Sequence, residues 1–269
     1  MGEARGPARI SLEILVIHAA RPPGRKKQSA KEALPVRSGT YAILCALMIC
    51  LTSAVHAQTA IFNIPSADTL ERRSVNIEAD FLAKAAKYSN GGYQTLGYRL
   101  AYGVTDKAEV GSNLYLTWEG GRPVADLEFS LKYRAYKNEA HGISTSVGAI
   151  ASVPLRDRSD DRTSVMTYGN ISKTIKRLGG TTATAGVYHV FRGVNDFGTR
   201  TGAMLGIVQP VKGKVSFVAD WSSGQNRLGY ASAGLNIDVT KGQYLLAGYS
   251  FGNSGRGNNA LAVYYGITF

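Results

Sequence analysis

Leu261-Ala262-Val263-Tyr264-Tyr265-Gly266-Ile267-Thr268-Phe269 ends the chain, and every second residue from Leu261 to Phe269 is large and apolar. A period of two is the mark of extended backbone, where successive side chains point to opposite faces; a helix would repeat every three to four residues. The same alternation runs back through Leu245, Ala247, Tyr249, Phe251 and through Val215, Phe217, Ala219, Trp221. It continues through Leu127, Phe129, Leu131, Tyr133, through Leu96, Leu100, Tyr102 and through Val75, Ile77, Ala79, Phe81. Twelve strands are predicted, at 73–83, 93–104, 108–118, 125–136, 141–153, 164–175, 181–192, 201–210, 214–222, 228–239, 243–251 and 260–269. The stretch 164–210 alternates poorly, so ten strands is the alternative count.

The connections are of two kinds that take turns along the chain. Tight ones stand at 105–107, 137–140, 177–180, 211–213 and 240–242, and longer polar ones at 88–92, 119–123, 155–163, 194–200, 223–227 and 252–259. Short turns at one end and long loops at the other describe an antiparallel up-and-down meander crossing a membrane, with the short turns in the periplasm. Strands of about ten residues suit a tilted crossing of the hydrocarbon core. The four prolines after residue 57 (Pro65, Pro123, Pro154, Pro210) fall in loops or at strand ends, where a missing N–H does least harm.

A secreted soluble β-sandwich alternates in the same way, but its outer face meets water and should be strongly charged. Here the face opposite the apolar one is small and mildly polar (Gly97, Gly103, Gly111, Asn113, Thr117, Ser130, Ser144, Ser146, Gly148), which suits the inside of a closed barrel. Trp118, Trp221 and Phe251 near the long loops, and Tyr102, Tyr133 and Phe269 near the short turns, make two aromatic bands of the kind found at membrane interfaces. The fold class expected is therefore all-β, an antiparallel transmembrane β-barrel over residues 71–269.

The first 57 residues are of another kind. Eight Lys/Arg and three acids lead into the apolar run Tyr41 to Leu51 and the small-residue ending TSAVHA, the order of a secretory signal with cleavage after Ala57. The run is shorter than the roughly 20 residues a spanning helix needs. Cys45 and Cys50 follow Leu44 and Ile49, not the small residue that a lipoprotein signal requires. Residues 58–269 keep 23 of the 31 basic and 16 of the 19 acidic side chains, a net +7, and no cysteine. Without the basic leader the charge argument for nucleic acid loses its support. Residues 58–70 form a short N-terminal segment before the barrel, expected in the periplasm, with a plug in the lumen as the other possibility.

The final LAVYYGITF resembles the terminal strand of Gram-negative outer-membrane β-barrels, and GYRLAYGVTDKAEVGSNLYL (97–116) resembles the strand–turn–strand units of small porin-like barrels. The resemblance implies a bacterial outer-membrane location. Lipid and lipopolysaccharide would surround the barrel, and the barrel-assembly machinery would recognise Tyr265, Ile267 and Phe269. It also implies porin-like passive passage of small polar solutes, with a non-conducting structural or surface-contact barrel as the alternative.

Function should lie with charges on inward positions: Glu78, Asp80, Arg99, Asp126, Glu128, Lys132, Arg134 and Asp220. Glu78 and Arg99 fall beside each other near mid-height and should pair. Opposed acids and bases in a lumen can select solutes by charge, or simply brace the wall. The net +7 suggests a slight anion preference. No enzyme is expected. His141 and Ser144, three apart, point to opposite faces of a strand, and His189 has no evident carboxylate or serine partner. Asp157, Asp160 and Asp161 interleave with arginines and lack the glycine and closing glutamate of a calcium loop. No zinc spacing, phosphate loop or dinucleotide fingerprint fits, so no cofactor is expected.

Overall fold

A computed structural model describes residues 60–155, 163–191, 198–253 and 259–269. The leader with its cleavage after Ala57 and the Asp/Arg-rich loop 156–162 lie outside the described residues. Twelve strands follow one another: β1 (Val75–Lys84), β2 (Tyr93–Thr105), β3 (Ala108–Trp118), β4 (Val124–Asn138), β5 (Ile143–Pro154) and β6 (Ser164–Ile175). The second half is β7 (Thr181–Val190), β8 (Thr201–Lys212), β9 (Val215–Ser222), β10 (Tyr230–Thr240), β11 (Gln243–Gly252) and β12 (Ala260–Thr268). Each pairs antiparallel with its sequence neighbour, and β12 returns to β1, so the sheet is a closed barrel and, among the described residues, no strand edge is left unpaired. Twelve, not ten, is the count, because β6 to β8 pair along their lengths despite weak alternation. Their lipid face is built from smaller residues (Thr167, Gly169, Ala183, Ala185, Ala203), which blurs the pattern without breaking the ladder.

Closure is by main chain. Phe269 N–H donates to Val75 O at 2.8 Å and Val75 N–H to Phe269 O at 3.1 Å. The register shifts at 103/105, 134/136, 210/212 and 238/240 all lie beside a short turn, where a bulge tightens the twist. At the turn 240–242, Gly242 takes a left-handed φ of 77° that a side chain would resist.

The exterior is apolar and exposed along the wall: Ile77, Leu131, Val147, Val187 and Leu205 are between 49% and 63% accessible. A water-soluble protein rarely leaves a continuous surface of this kind bare, whereas lipid covers it at no cost. This belt together with closure removes the sandwich reading.

The interior differs from expectation at one place. Residues 60–70 are not periplasmic; they run inside the barrel, with Ala60, Ile61, Phe62, Ile64, Ala67 and Leu70 buried. The segment enters from the short-turn end and folds back on itself, Ile61 N–H donating to Ile64 O at 2.9 Å. Its apolar side chains explain the location, since in the periplasm they would face water. At the mouth the chain turns into β1 through Arg73, which holds a left-handed φ of 68°. There Glu71 crosses Gly103 so closely that a Cβ on Gly103 would collide with its carbonyl.

Candidate functional site in the barrel lumen

The plug is held by polar bonds from the wall and by two apolar clusters. On β9, Asp220 aims one carboxylate oxygen at three successive backbone N–H groups, those of Phe62, Asn63 and Ile64, at 3.1, 2.5 and 2.8 Å. Asn63 donates to Ser232 Oγ at 2.9 Å and accepts from Tyr264 at 2.8 Å. Further along, Asn170 donates to Pro65 O at 2.7 Å and Ser144 to Ala67 O at 3.1 Å. Glu109 and Lys132, 3.4 Å apart, clasp the end of the segment: Glu109 accepts from Leu70 N–H at 2.9 Å and Lys132 donates to Asp68 O at 2.9 Å.

Ile61 and Ile64 pack among Tyr168, Tyr188, Val190 and Met204, and Phe62 packs with Val218, Leu246, Ala262 and Tyr264. The Phe62 and Tyr264 rings meet edge to face at 5.6 Å, a favoured aromatic geometry. Glycine on the inner wall makes room for them: a Cβ on Gly206 would lie 2.5 Å from Ile61 Cδ1 and 3.0 Å from Ile64 Cδ1.

The eight inward charges expected from the sequence divide into separate groups. Glu78, Asp80 and Arg99 come together, Arg99 Nη1 lying 2.5 Å from Glu78 and 3.9 Å from Asp80; Tyr244 donates to the other Glu78 oxygen. Glu128 accepts from Asn113 at 3.3 Å, and Asp126 is one inward position further toward the long loops. Lys132 belongs to the plug clasp, and Arg134 donates to Asp106 O at the short-turn rim. Asp220 stands across the lumen as the plug's anchor. Glu109 escaped the sequence reading, although the polar face Glu109, Gly111, Asn113 carries it on the same alternation.

His141 lies exposed in a turn while Ser144 faces inward onto the plug. His189, on the lipid side, meets Thr201 Oγ1 at 2.7 Å and the edge of the Phe191 ring at 4.5 Å. Tyr265, Ile267 and Phe269 share the outward face of β12, as the alternation requires.

The plug divides the lumen. A cavity of about 340 Å³ opens above it toward the long loops, floored by Asn63, Ile64 and Pro65. One of about 240 Å³ lies below, toward the short turns. Beside the plug, between it and the β2–β6 wall, a gap of about 70 Å³ is bordered by Arg99, Glu109, Asn113 and Lys132.

A closed barrel with an apolar outer belt, a polar interior, short turns at one end and long loops at the other is a transmembrane β-barrel of the outer-membrane type. The KdgM porin in complex with disordered oligogalacturonate shares the architecture at a TM-score of 0.50 and 10% identity, over 73% of this chain and 98% of that one. An outer membrane channel from Pseudomonas putida F1 aligns at a TM-score of 0.52 and 15% identity, over 76% and 98%. The Escherichia coli outer membrane phospholipase A aligns less closely, at 0.45 and 13% identity over 74% and 93%. At such identities the likeness is one of fold. No family model and no curated protein matches the sequence.

Proposed function

We propose that the protein is a porin-like barrel of the bacterial outer membrane through which small polar solutes pass, and that its N-terminal segment sets the width of the path. The observation that carries this reading is the gap beside the plug. Arg99, Glu109, Asn113 and Lys132 line it together with Ile150 and Tyr168, and it borders the cavity toward the long loops, with which it shares Asn63, Arg99 and Asn113. Opposed charges such as Arg99, Glu109 and Lys132 beside the stopper stand where a pore selects ions. Export by the leader, with cleavage after Ala57, and recognition of Tyr265, Ile267 and Phe269 by the assembly machinery complete the reading.

The charge preference expected of the pore is for cations, not the slight anion preference that net charge suggests. Among the described residues, the inward acids Glu78, Asp80, Glu109, Asp126, Glu128, Asp220 and Asp238 outnumber by one the bases Lys84, Arg99, Lys132, Arg134 and Lys137 on the inner wall and Arg227 at the long-loop end of the lumen. The test is planar-bilayer recording of refolded 58–269, with a 60–70 deletion beside it. Discrete steps in the parent protein, larger in the deletion, with a cation-selective reversal potential in a salt gradient, are expected. If both proteins fold, insert and stay silent, the barrel is a structural one.

A further inference from the structure

We propose that one arc of the short-turn rim, from β6 to β11, is a docking surface for anionic glycerophospholipids, whose phosphodiester headgroups it holds in the periplasmic leaflet. This rests on the outer-membrane placement given above and not on passage of solutes through the lumen. Three neighbouring turns make the arc, those joining β6 to β7, β8 to β9 and β10 to β11. They touch one another: Gln209 Nε2 donates to Leu178 O at 3.4 Å and Lys214 Nζ to Val239 O at 2.9 Å. Lys173, Lys176, Arg177, Lys212, Lys214 and Lys241 are all exposed on it. Among the described residues one acid accompanies them, Asp238, which borders the lower lumen cavity and accepts from the amide of Asn236 at 3.3 Å. The rest of the rim is different. There Glu71, Asp106 and Glu139 stand among the basic residues, and Glu139 pairs with Lys137 at 2.9 Å.

Lys173 and Lys214 bond neutral carbonyls, those of His141 and Val239, which leaves their charge uncompensated. Large apolar side chains are exposed between the basic ones: Leu178 beside Arg177, Val211 beside Lys212 and Val239 two residues before Lys241. They carry the exposed lipid-facing belt of Ile171, Ile207 and Ile237 to the rim. At such a border long basic side chains lie along apolar surface and bring their charge to the headgroup level. Each Lys or Arg near an anionic membrane surface adds attraction, and a guanidinium can fork onto phosphate oxygens. A zwitterionic headgroup would bring a cation of its own to a surface with no acid turned toward it. A carboxylated sugar polymer would match the charge and leave Leu178, Val211 and Val239 in water. A lipid with a net negative headgroup answers both, its phosphate against the basic residues and its acyl chains against the belt.

The test uses refolded 58–269, which has no cysteine of its own. Thr240→Cys carries a bimane label at the arc, and in a second protein Thr105→Cys carries it at the opposite turn. Each is reconstituted in phosphatidylcholine vesicles, and quenching by spin-labelled phosphatidylglycerol is compared with quenching by spin-labelled phosphatidylcholine. At residue 240 phosphatidylglycerol should be preferred roughly fivefold, as much as a single basic side chain near an anionic headgroup confers; at residue 105 the two lipids should quench alike. Arg177→Gln together with Lys241→Gln should abolish the preference at residue 240, and Lys107→Gln, at the opposite turn, should leave it unchanged. These side chains are exposed, and heat-dependent gel mobility verifies that each variant is folded. Equal quenching by the two lipids at residue 240, or a parent-like preference in the folded double variant, overturns the proposal. Co-sedimentation with purified cell-wall sacculi is run alongside: binding that the double variant abolishes, without a lipid preference, assigns the arc to the wall polymer and overturns it as well. Quenching needs no conducting pore, so a silent bilayer record leaves the result untouched.

Discussion

Replacing Asp220 by alanine should release the plug without harming the wall. The carboxylate sits on β9, whose ladder bonds to β8 and β10 are main-chain and do not depend on it. What it holds is the plug, through the N–H groups of residues 62, 63 and 64. A buried donor left without its acceptor costs about 1–3 kcal/mol. Water can reach the site through the flanking cavities, so the lower figure applies, and three donors give a loss of about 3 kcal/mol. That loss shifts the balance between seated and released plug by roughly a hundredfold. Two assays read it. In bilayers, Asp220→Ala should lengthen the open intervals and raise the mean conductance of 58–269. In solution, a cysteine introduced at Ser66 is the sole thiol of residues 58–269, and its reaction with a small charged maleimide should accelerate by a similar factor. A folded Asp220→Ala barrel with parent-like gating and labelling would refute the view that this carboxylate holds the segment.

Three further outcomes are expected. Gly206→Val thrusts a branched side chain against Ile61 and Ile64; overpacking of about 1–3 kcal/mol should favour the released plug, seen as larger conductance with little change in the unfolding midpoint. Arg99→Ala strips Glu78 and Asp80 of their guanidinium; it should destabilise the refolded barrel by about 3–5 kcal/mol in urea titration and move the reversal potential further toward cation selectivity. A parent-like reversal potential would remove Arg99 from the selective part of the path. Phe269→Ala retains the main-chain bonds to Val75, so refolding in detergent should be unaffected, whereas outer-membrane yield in cells should fall several-fold; equal yields would mean that the aromatic end is not an assembly signal.

The wall was legible because period two is written residue by residue. Lipid demands an apolar side chain on one face and the lumen a small or polar one on the other, and turn chemistry marks where the pattern breaks. The pairing of Glu78 with Arg99 followed from the same logic, since both fall on inward positions near mid-height of neighbouring antiparallel strands. The seat of residues 60–70 was not legible in this way. Ile61, Phe62 and Ile64 have no strand period, and the segment's partners are more than 150 positions away: Asp220 for Phe62 and Ile64, Ser232 and Tyr264 for Asn63. Asp220 carried a faint signal, an inward acid with no base nearby on β8 or β10. Its partner proved to be main-chain N–H, which sequence does not display.

The wall side chains that bond the plug come from β3 to β6 and from β9 to β12. The plug is also tethered to β1, at the seam that β12 closes last in chain order. A stopper fastened at so many points around a complete cylinder is held as a hub is held by its spokes. Each wall strand that lets go frees one side of it, and the width of the bore is set by how many still hold.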